Sequence, residues 1–207
     1  MDFRPKPSSR ALGRVGEVET HPSGIVMNYC SACGARVTVK VPEGDNRPRH
    51  VCTHCHTVHY ENPRIVVGCV PWYEGRILIC RRAIEPRLGY WTVPAGFLEN
   101  GETLAEGAAR ECFEEANARA RIGGLLSIIN VPYAHQVHVL FRATLDQPEF
   151  CAGAESLEVK LVTPDEIPWH DIAFRSIEFG LKAFLSDREN NLETVHTESL
   201  YPVDHSH

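Results

Sequence analysis

Residues Gly96 to Ala118 read GFLENGETLAEGAARECFEEANA, and the spacing of their charges decides how the rest of the chain is understood. Thr103 followed by Glu106 three residues later is a capping box, so a helix is predicted over residues 104–116. On that helix Glu111 and Glu115 stand i,i+4 and project from one face about one turn apart. Arg110 and Glu114 form a second i,i+4 pair, of opposite charge, that can brace the helix while the other two acids stay free. Acids crowded in this way destabilise the helix unless a cation sits among them. Magnesium suits such a place, because it takes oxygen ligands, keeps several waters and is usually shared between a few carboxylates and substrate phosphates. The plain alternative is a solvated charged face, the usual fate of a charge run.

The context favours the cation. The segment resembles the Nudix signature, G-x5-E-x7-R-E-U-x-E-E-x-G-U with U a bulky aliphatic, and Gly96, Glu102, Arg110, Glu111, Glu114 and Glu115 occupy its required places. Three positions depart from it: Cys112 stands at the first U, Asn117 replaces the second Gly, and Ala118 replaces the last U. Asn is the next best residue after Gly in a left-handed turn at a helix C-terminus, and Cys112 is a small hydrophobe that can pack. None of the three touches a carboxylate. The resemblance implies an α/β fold, the Nudix α/β/α sandwich with a mixed sheet. It also implies hydrolysis of a nucleoside diphosphate linked to another moiety, with Glu111 and Glu115 as magnesium (or manganese) ligands and Glu114 sharing in this. Arg110 with Glu102 would hold loop and helix in register.

Working outward, Ile65 to Val70 reads as a buried strand, Glu74-Gly75 as a turn and Arg76 to Cys80 as a second strand, together a hairpin. Tyr90–Val93, Leu125–Asn130, Val137–Leu145 and Leu157–Val162 read as further strands. Ser176–Leu185 reads as a helix with a core-facing stripe at Ile177, Phe179, Leu181, Phe184 and Leu185. Strands and helices in this order suit a mixed sheet flanked by helices.

Toward the N-terminus, Cys30, Cys33, Cys52 and Cys55 are spaced C-x2-C-x18-C-x2-C, the pattern of a four-thiolate zinc site. Gly34 and the polar stretch PEGDNRP fit a ribbon of short strands. A redox dithiol or disulfide pair is the competing interpretation. His50, His54, His56 and His59 are expected as exposed loop residues, and Cys69, Cys80, Cys112 and Cys151 as core or partly buried free thiols. The division expected is a flexible tail over 1–25, a zinc ribbon over 26–62, a Nudix domain over 63–189 and a flexible tail over 190–207. A ribbon of this size needs metal to fold, and its expected role is in dimerisation and stability, giving a homodimer.

The chain has 207 residues, 43% hydrophobic and 23% charged, with a formal net charge of -6. That balance argues against broad attraction to nucleic acid or to an anionic membrane, so a small-molecule nucleoside diphosphate-linked substrate is expected ahead of nucleic acid, and no membrane partner. No run approaches the roughly 18 apolar residues of a membrane span and the first residues lack an apolar signal region, so a cytoplasmic protein is expected. No P-loop is present.

In proteins that share this resemblance a further glutamate reaches in from beyond the motif helix. The candidates are Glu155 and Glu158, and Glu158, at the start of a strand, is preferred as the third magnesium ligand. His135 and His138 face opposite sides of a strand and make a poor ligand pair, so one touches substrate and the other is structural or solvated. Phe97, Tyr133, Trp169 and Phe174 are candidate stacking residues, with core or rim packing the first expectation for each.

Two zinc-ribbon groups of the family compete for the substrate. NADH pyrophosphatases, which also remove NAD caps from RNA, carry a Ser-Gln-Pro-Trp-Pro-Phe-Pro run just beyond the box, where this chain has SIINVPYAHQVHVLF. The stretches VCTHCHTVHYENPRIVVGCV, WTVPAGFLENGE and ESLEVKLVTPDEIPWHDIAFRSI are similar to a plant and bacterial group that includes the chloroplast FAD pyrophosphatase. Cleavage of FAD to AMP and FMN is the first expectation. The alternatives are ADP-ribose or NADH hydrolysis, NAD-cap removal, or a non-catalytic nucleotide sensor or adaptor.

Overall fold

The computed structural model describes residues 27–202, so the tail expected over 1–25 and the last five residues lie outside the described part. The chain divides into two compact units, Met1–Glu61 and Asn62–His207.

The first unit is a three-stranded antiparallel sheet of β1 (Val37–Lys40), β2 (Arg49–Cys52) and β3 (Val58–His59), in that order. Its buried apolar side chains are few: Cys30, Val51 and Cys52. The tight turn after Cys30 is closed by Gly34 N–H donating to the Cys30 carbonyl at 2.9 Å, with Gly34 at φ +73°. His50 is a correction to the sequence reading. It lies on β2, only 4% exposed and on the same side of the strand as Cys52, with Nδ1 at 3.2 Å from a Glu61 carboxylate oxygen, because β2 is the central strand of the three and is covered on both sides. So small a core offsets little of the ordering of its backbone, and an ion tying the four cysteines would supply the missing stability. Stripping zinc with a chelator should therefore unfold residues 28–61 while the second unit keeps its structure, and amide hydrogen exchange by segment would show it.

The second unit is built on one mixed sheet. A hairpin of β4 (Arg64–Tyr73) and β5 (Arg76–Arg82) turns at Glu74 (φ 42°) and Gly75 (φ 85°), the paired left-handed residues that match strand twist. Two short strands, β6 (Trp91–Thr92) and β7 (Ala95–Phe97), precede helix α1 (Leu104–Ala116). Then come β8 (Ala120–Val131), β9 (Gln136–Leu145), β10 (Ser156–Val162), helix α2 (Arg175–Asn190) and β11 (His196–Ser199). The sheet order is β10-β5-β4-β9-β8-β11, with β6 on β5 and β7 on β4. The β4–β9 and β8–β11 pairs are parallel and the others antiparallel.

Strand β5 shows why a helix covers each face. Leu78 and Cys80 pack with Ala108, Cys112 and Ala116 of α1, while Ile77 and Ile79 pack with Ile177, Leu181 and Phe184 of α2. Alternate residues point to opposite faces, so one strand feeds two cores and the result is an α/β/α sandwich. Small residues at Ala108, Cys112 and Ala116 let α1 lie close to the sheet. Each large side chain under α2 contributes roughly 1.5–3 kcal/mol relative to exposure. Cys69, Cys80 and Cys112 are buried thiols in the α1 core and Cys151 is exposed.

The departures from the signature are accommodated. Asn117 caps α1 in the left-handed region (φ 48°), its N–H donating to the Phe113 carbonyl at 2.7 Å and its side-chain amide to the Cys151 carbonyl at 3.2 Å. Ala118 is fully buried in the α1 core, where a larger aliphatic would have to displace neighbours.

The flexible tail expected from residue 190 is corrected by β11, which runs parallel to β8 from His196 to Ser199. The cause is a buried carboxylate. Asp187, on the last turns of α2, is paired with Arg142 of β9 and accepts from Thr194 Oγ1 at 3.1 Å, and His196 Nε2 lies 3.0 Å from it. These partners hold its carboxyl below the usual carboxylate range in spite of its burial. Helix α2 consequently runs past Leu185 and brings the following segment onto the sheet edge. No helix among the described residues is long and apolar enough to cross a membrane.

Candidate active site

Helix α1 begins as its sequence dictates. Glu106 N–H donates to Thr103 Oγ1 at 3.3 Å, and Thr103 N–H donates to Glu106 Oε2 at 2.8 Å. The loop before it is held by Arg110. Its guanidinium forks onto Glu102 at 3.0 and 2.7 Å, reaches Glu111 Oε1 at 2.7 Å and Glu114 Oε2 at 3.0 Å, and donates to the Phe97 carbonyl at 3.0 Å. Glu102 also accepts from the Glu99 N–H at 2.7 Å. The fork from Arg110, with that backbone donor, lowers the Glu102 pKa to about 2. Arg110 does more than brace Glu114, since it also meets Glu111, so that acid is not free of a counter-charge.

Glu111 and Glu115 are 8% and 6% exposed, far below what is usual for glutamate. Gly96 explains how the strand and the acid share the space. Residue 96 pairs with Val67 in the sheet, and a Cβ there would overlap the Glu111 carboxylate. The glycine is thus required by close approach and not by a left-handed φ. Gly96→Ala should push Glu111 aside and lower any metal-dependent activity by about a hundredfold, because displacements of about 1 Å at a reacting site cost that much. A kinetic assay beside a thermal melt would separate this from unfolding.

Burial, with repulsion from Glu111 and Glu155 outweighing attraction by Arg82, raises the Glu115 pKa to about 8. Burial likewise raises that of Glu111, against the pull of Arg110. Glu115 Oε2 is buried without a hydrogen-bond partner in the protein. An orphaned buried carboxylate oxygen beside a second buried acid fits a hard divalent cation, which takes oxygen ligands.

Of the two candidates for a third acid, the one that lines the cavity is not the preferred one. Glu155 lines the cavity and its charge acts on both Glu111 and Glu115, whereas Glu158 sits exposed on the edge strand β10, beyond a bulge and opposite Arg81, and does not line the cavity. The loop carrying Glu155 is docked on the end of α1: Cys151 N–H donates to the Ala116 carbonyl at 2.9 Å and Gly153 N–H to the Glu115 carbonyl at 3.0 Å. The orphan carbonyls of a helix end thus position the acid.

These acids line one side of a cavity of about 1250 Å³, more than the roughly 300–1,000 Å³ of pockets for drug-sized ligands. Phe97, Tyr133, Trp169 and Phe174 all line it. His138 lines it too, hydrogen-bonded to Ser176 Oγ at 2.8 Å and to Gln136 Oε1 at 2.9 Å, and burial lowers its pKa to about 4, so it is neutral. His135 is a turn residue with φ 52° and does not line the cavity.

Sequence reading missed Arg82 and Arg87. Arg82 leaves β5 into the cavity, with its guanidinium 5.1 Å from the Phe174 ring centroid and Nε donating to the Pro86 carbonyl at 2.9 Å. Arg87 stands over Tyr90 at 5.3 Å. The signal was present: RRAIEPR sets three arginines within seven residues of an acidic chain.

In the first unit the four cysteine sulfurs lie within 4.8 Å of one another, with Cys30–Cys55 at 3.7 Å and Cys33–Cys52 at 3.4 Å. A tetrahedral site with zinc–sulfur bonds of about 2.3 Å needs sulfurs roughly 3.8 Å apart, so the set fits structural zinc. Backbone N–H groups of Ala32, His54 and Cys55 approach these sulfurs at 3.4 Å, as donors to thiolates would.

Comparison with known proteins agrees with both halves. The family described as Nudix N-terminal, a zinc ribbon, matches residues 28–61, and the NUDIX domain matches residues 62–180. A NUDIX hydrolase from Nitrosomonas europaea superposes with a TM-score of 0.82 at 49% identity, covering 84% of this chain and 99% of that one. The NAD-capped RNA hydrolase NudC of Photorhabdus laumondii is 34% identical over 123 residues, 58% of this chain and 45% of the relative. That of Edwardsiella ictaluri is 30% identical over 132 residues, 63% of this chain and 49% of the relative. This chain thus spans about half the length of the curated relatives it matches.

Proposed function

The chain belongs to the Nudix hydrolase family, and from that premise we propose that it hydrolyses the pyrophosphate bridge of a nicotinamide-type dinucleotide, free or at the end of an RNA. The observation that carries the reading is the pair of buried carboxylates, one with an orphaned oxygen, facing a cavity large enough for a dinucleotide. The names of the curated relatives support a nicotinamide dinucleotide over FAD, and they return nucleic acid to the possible substrates in spite of the net charge of -6.

Glu111 and Glu115 would hold divalent magnesium or manganese, with Glu114 and Glu155 completing the acidic set. Glu155 replaces Glu158 in this role because it lines the cavity. Held by these acids, such ions would supply positive charge to the bridging phosphates and lower the pKa of a bound water. Arg110 opposes the effect of burial on Glu111 and ties it to Glu102 and the Phe97 carbonyl. Arg82 offers a cation to a phosphate oxygen, and Phe97, Tyr133, Trp169 and Phe174 offer faces on which rings can stack. The buried free thiols favour the reducing cytoplasm.

FAD remains a second reading for one reason. The region just beyond the box forms the turn Pro132–Ala134 and puts Tyr133 on the cavity wall, and it lacks the Trp- and Pro-rich run of the NADH group. Release of AMP from NADH, FAD and ADP-ribose, and of a monophosphate 5′ end from NAD-capped RNA, compared at equal concentration with magnesium or manganese, tests it. NADH and capped RNA should be cleaved at least about tenfold faster in kcat/KM than FAD. The reverse order would transfer the assignment to FAD, and no cleavage of any would remove the catalytic reading.

A further inference from the structure

We infer that one face of the zinc ribbon binds single-stranded RNA. Strand pairing defines the face. Thr38 and Lys40 of β1 stand opposite Val51 and Arg49 of β2, and Val51 opposite Val58 of β3, so these side chains share one side. Arg36 precedes β1 by one residue and bridges to Tyr29, and Tyr60 follows Val58 by two, which places both tyrosines on that same side. Two contacts agree: Arg36 lies over the Tyr29 ring at 5.4 Å from its centroid, and Arg49 over the Tyr60 ring at 5.1 Å.

The result is a small sheet whose one face carries Tyr29, Arg36, Lys40, Arg49 and Tyr60. Tyr29 is 57% exposed and Tyr60 64%, values that a folding role would not need. Val51, at the centre of this face, is itself only 3% exposed, so the surface open to a ligand is the rim of Tyr29, Arg36, Thr38, Lys40 and Tyr60, while on the opposite side His50 and Cys52 are buried and Val37, Val39 and His59 half-buried. Among the described residues Arg36 and Lys40 meet no carboxylate, while Arg49 is paired with Asp45 at 2.9 Å.

Unstacked bases are recognised by aromatic rings and by guanidinium planes, and both are present twice. The arginines cover one side of each ring and are themselves flat surfaces for a base, while Lys40 and the guanidinium edges meet phosphates. A double helix hides its base faces and would gain only the phosphate contacts. The occupant that uses every feature of the face is therefore a single strand. This deepens the proposed reading by giving a capped RNA a second point of attachment, and it rests on that reading only for the identity of the 5′ end.

The test uses the full-length, zinc-loaded protein and an uncapped 20-nucleotide oligouridine, so that no hydrolysis is involved. Wild-type protein should bind it, with a slope of log K against log salt near -2 for three phosphate contacts at about -0.7 each. Tyr29→Ala and Tyr60→Ala should each weaken binding between about fivefold and a hundredfold, and the two phenylalanine variants, which keep the ring, should bind as wild type. Turnover of free NADH should not change in any of them. Equal affinity of wild-type and alanine variants, phenylalanine variants as weak as alanine, or no binding at low salt would overturn the inference. A self-associating protein whose dimer, and not its RNA affinity, is lost on Tyr→Ala would assign the face to a second copy and overturn it too. If RNA binds this way while neither NADH nor capped RNA is cleaved, the substrate reading fails and the ribbon inference stands.

Discussion

Glu115→Gln is expected to lower turnover a thousandfold or more, about 4 kcal/mol at the transition state, with the fold intact. The amide has the same shape and fills the same buried site, but it removes the charge on which a cation depends. Loss of this size without unfolding would separate ligation from packing. The same variant makes an opposite prediction for stability without metal. The Glu115 pKa is raised to about 8 from an ordinary 4.5, so the native state holds a proton that the unfolded state gives up. Metal-free wild type should therefore lose stability as pH rises from about 4.5 to about 8 and stay low above that, by an amount on the order of a few kcal/mol. Glu115→Gln should remove that contribution and be the more stable protein at pH 8. Magnesium should stabilise wild type there and leave the variant unchanged. Denaturant titrations at several pH values, with and without the ion, measure all of this. A variant less stable than wild type at pH 8 without metal would mean that Glu115 is ionised and paired in some other way.

The second large effect is expected at Arg110. Arg110→Ala removes the cation nearest Glu111, whose pKa burial already raises, and so more of Glu111 is protonated at neutral pH. Activity should fall by roughly two to three orders of magnitude at pH 7 and recover in part as pH rises, shifting the optimum upward. Arg110→Lys should be intermediate, since it restores charge without the planar fork onto Glu102. The acid side changes in the other direction. The Glu102 pKa is depressed to about 2, so its contribution to stability is present above the ordinary 4.5 and disappears as pH falls through about 2. In Arg110→Ala that acid-range loss should shrink to what the Glu99 N–H alone sustains. An activity loss that is the same at every pH would mean that Arg110 acts by geometry alone.

Local rules were enough for much of this molecule. The capping box of Thr103 and Glu106 and the left-handed tolerance of Asn117 delimit α1 at Leu104 and Ala116, because helix ends are decided by side chains next to them in sequence. The two cysteine pairs reveal their site because a knuckle places two sulfurs within a few residues. Where partners come from afar, local reading went astray. Segment 190–199 looks like a solvated tail, yet Asp187 gathers Arg142, Thr194 and His196 from β9 and beyond. His50 looks like one of several loop histidines, yet the register of β2 turns it inward.

The sequence alone determined the chemical inventory: a helix that must carry two acids on one face, four thiolates for one ion, and a glycine reserved beside them. Tertiary structure alone decided who joins that inventory. It brought Glu155, not Glu158, to the acids, because the loop after Phe150 docks its N–H groups on the open carbonyls of α1. It also carried Arg82 into the cavity and aligned Tyr29, Arg36, Lys40, Arg49 and Tyr60 on one ribbon face. Spacing along a chain defines neighbours on one helix or strand, whereas contact between segments depends on register and on which hydrogen-bonding ends remain open, and those exist only once the sheet has formed.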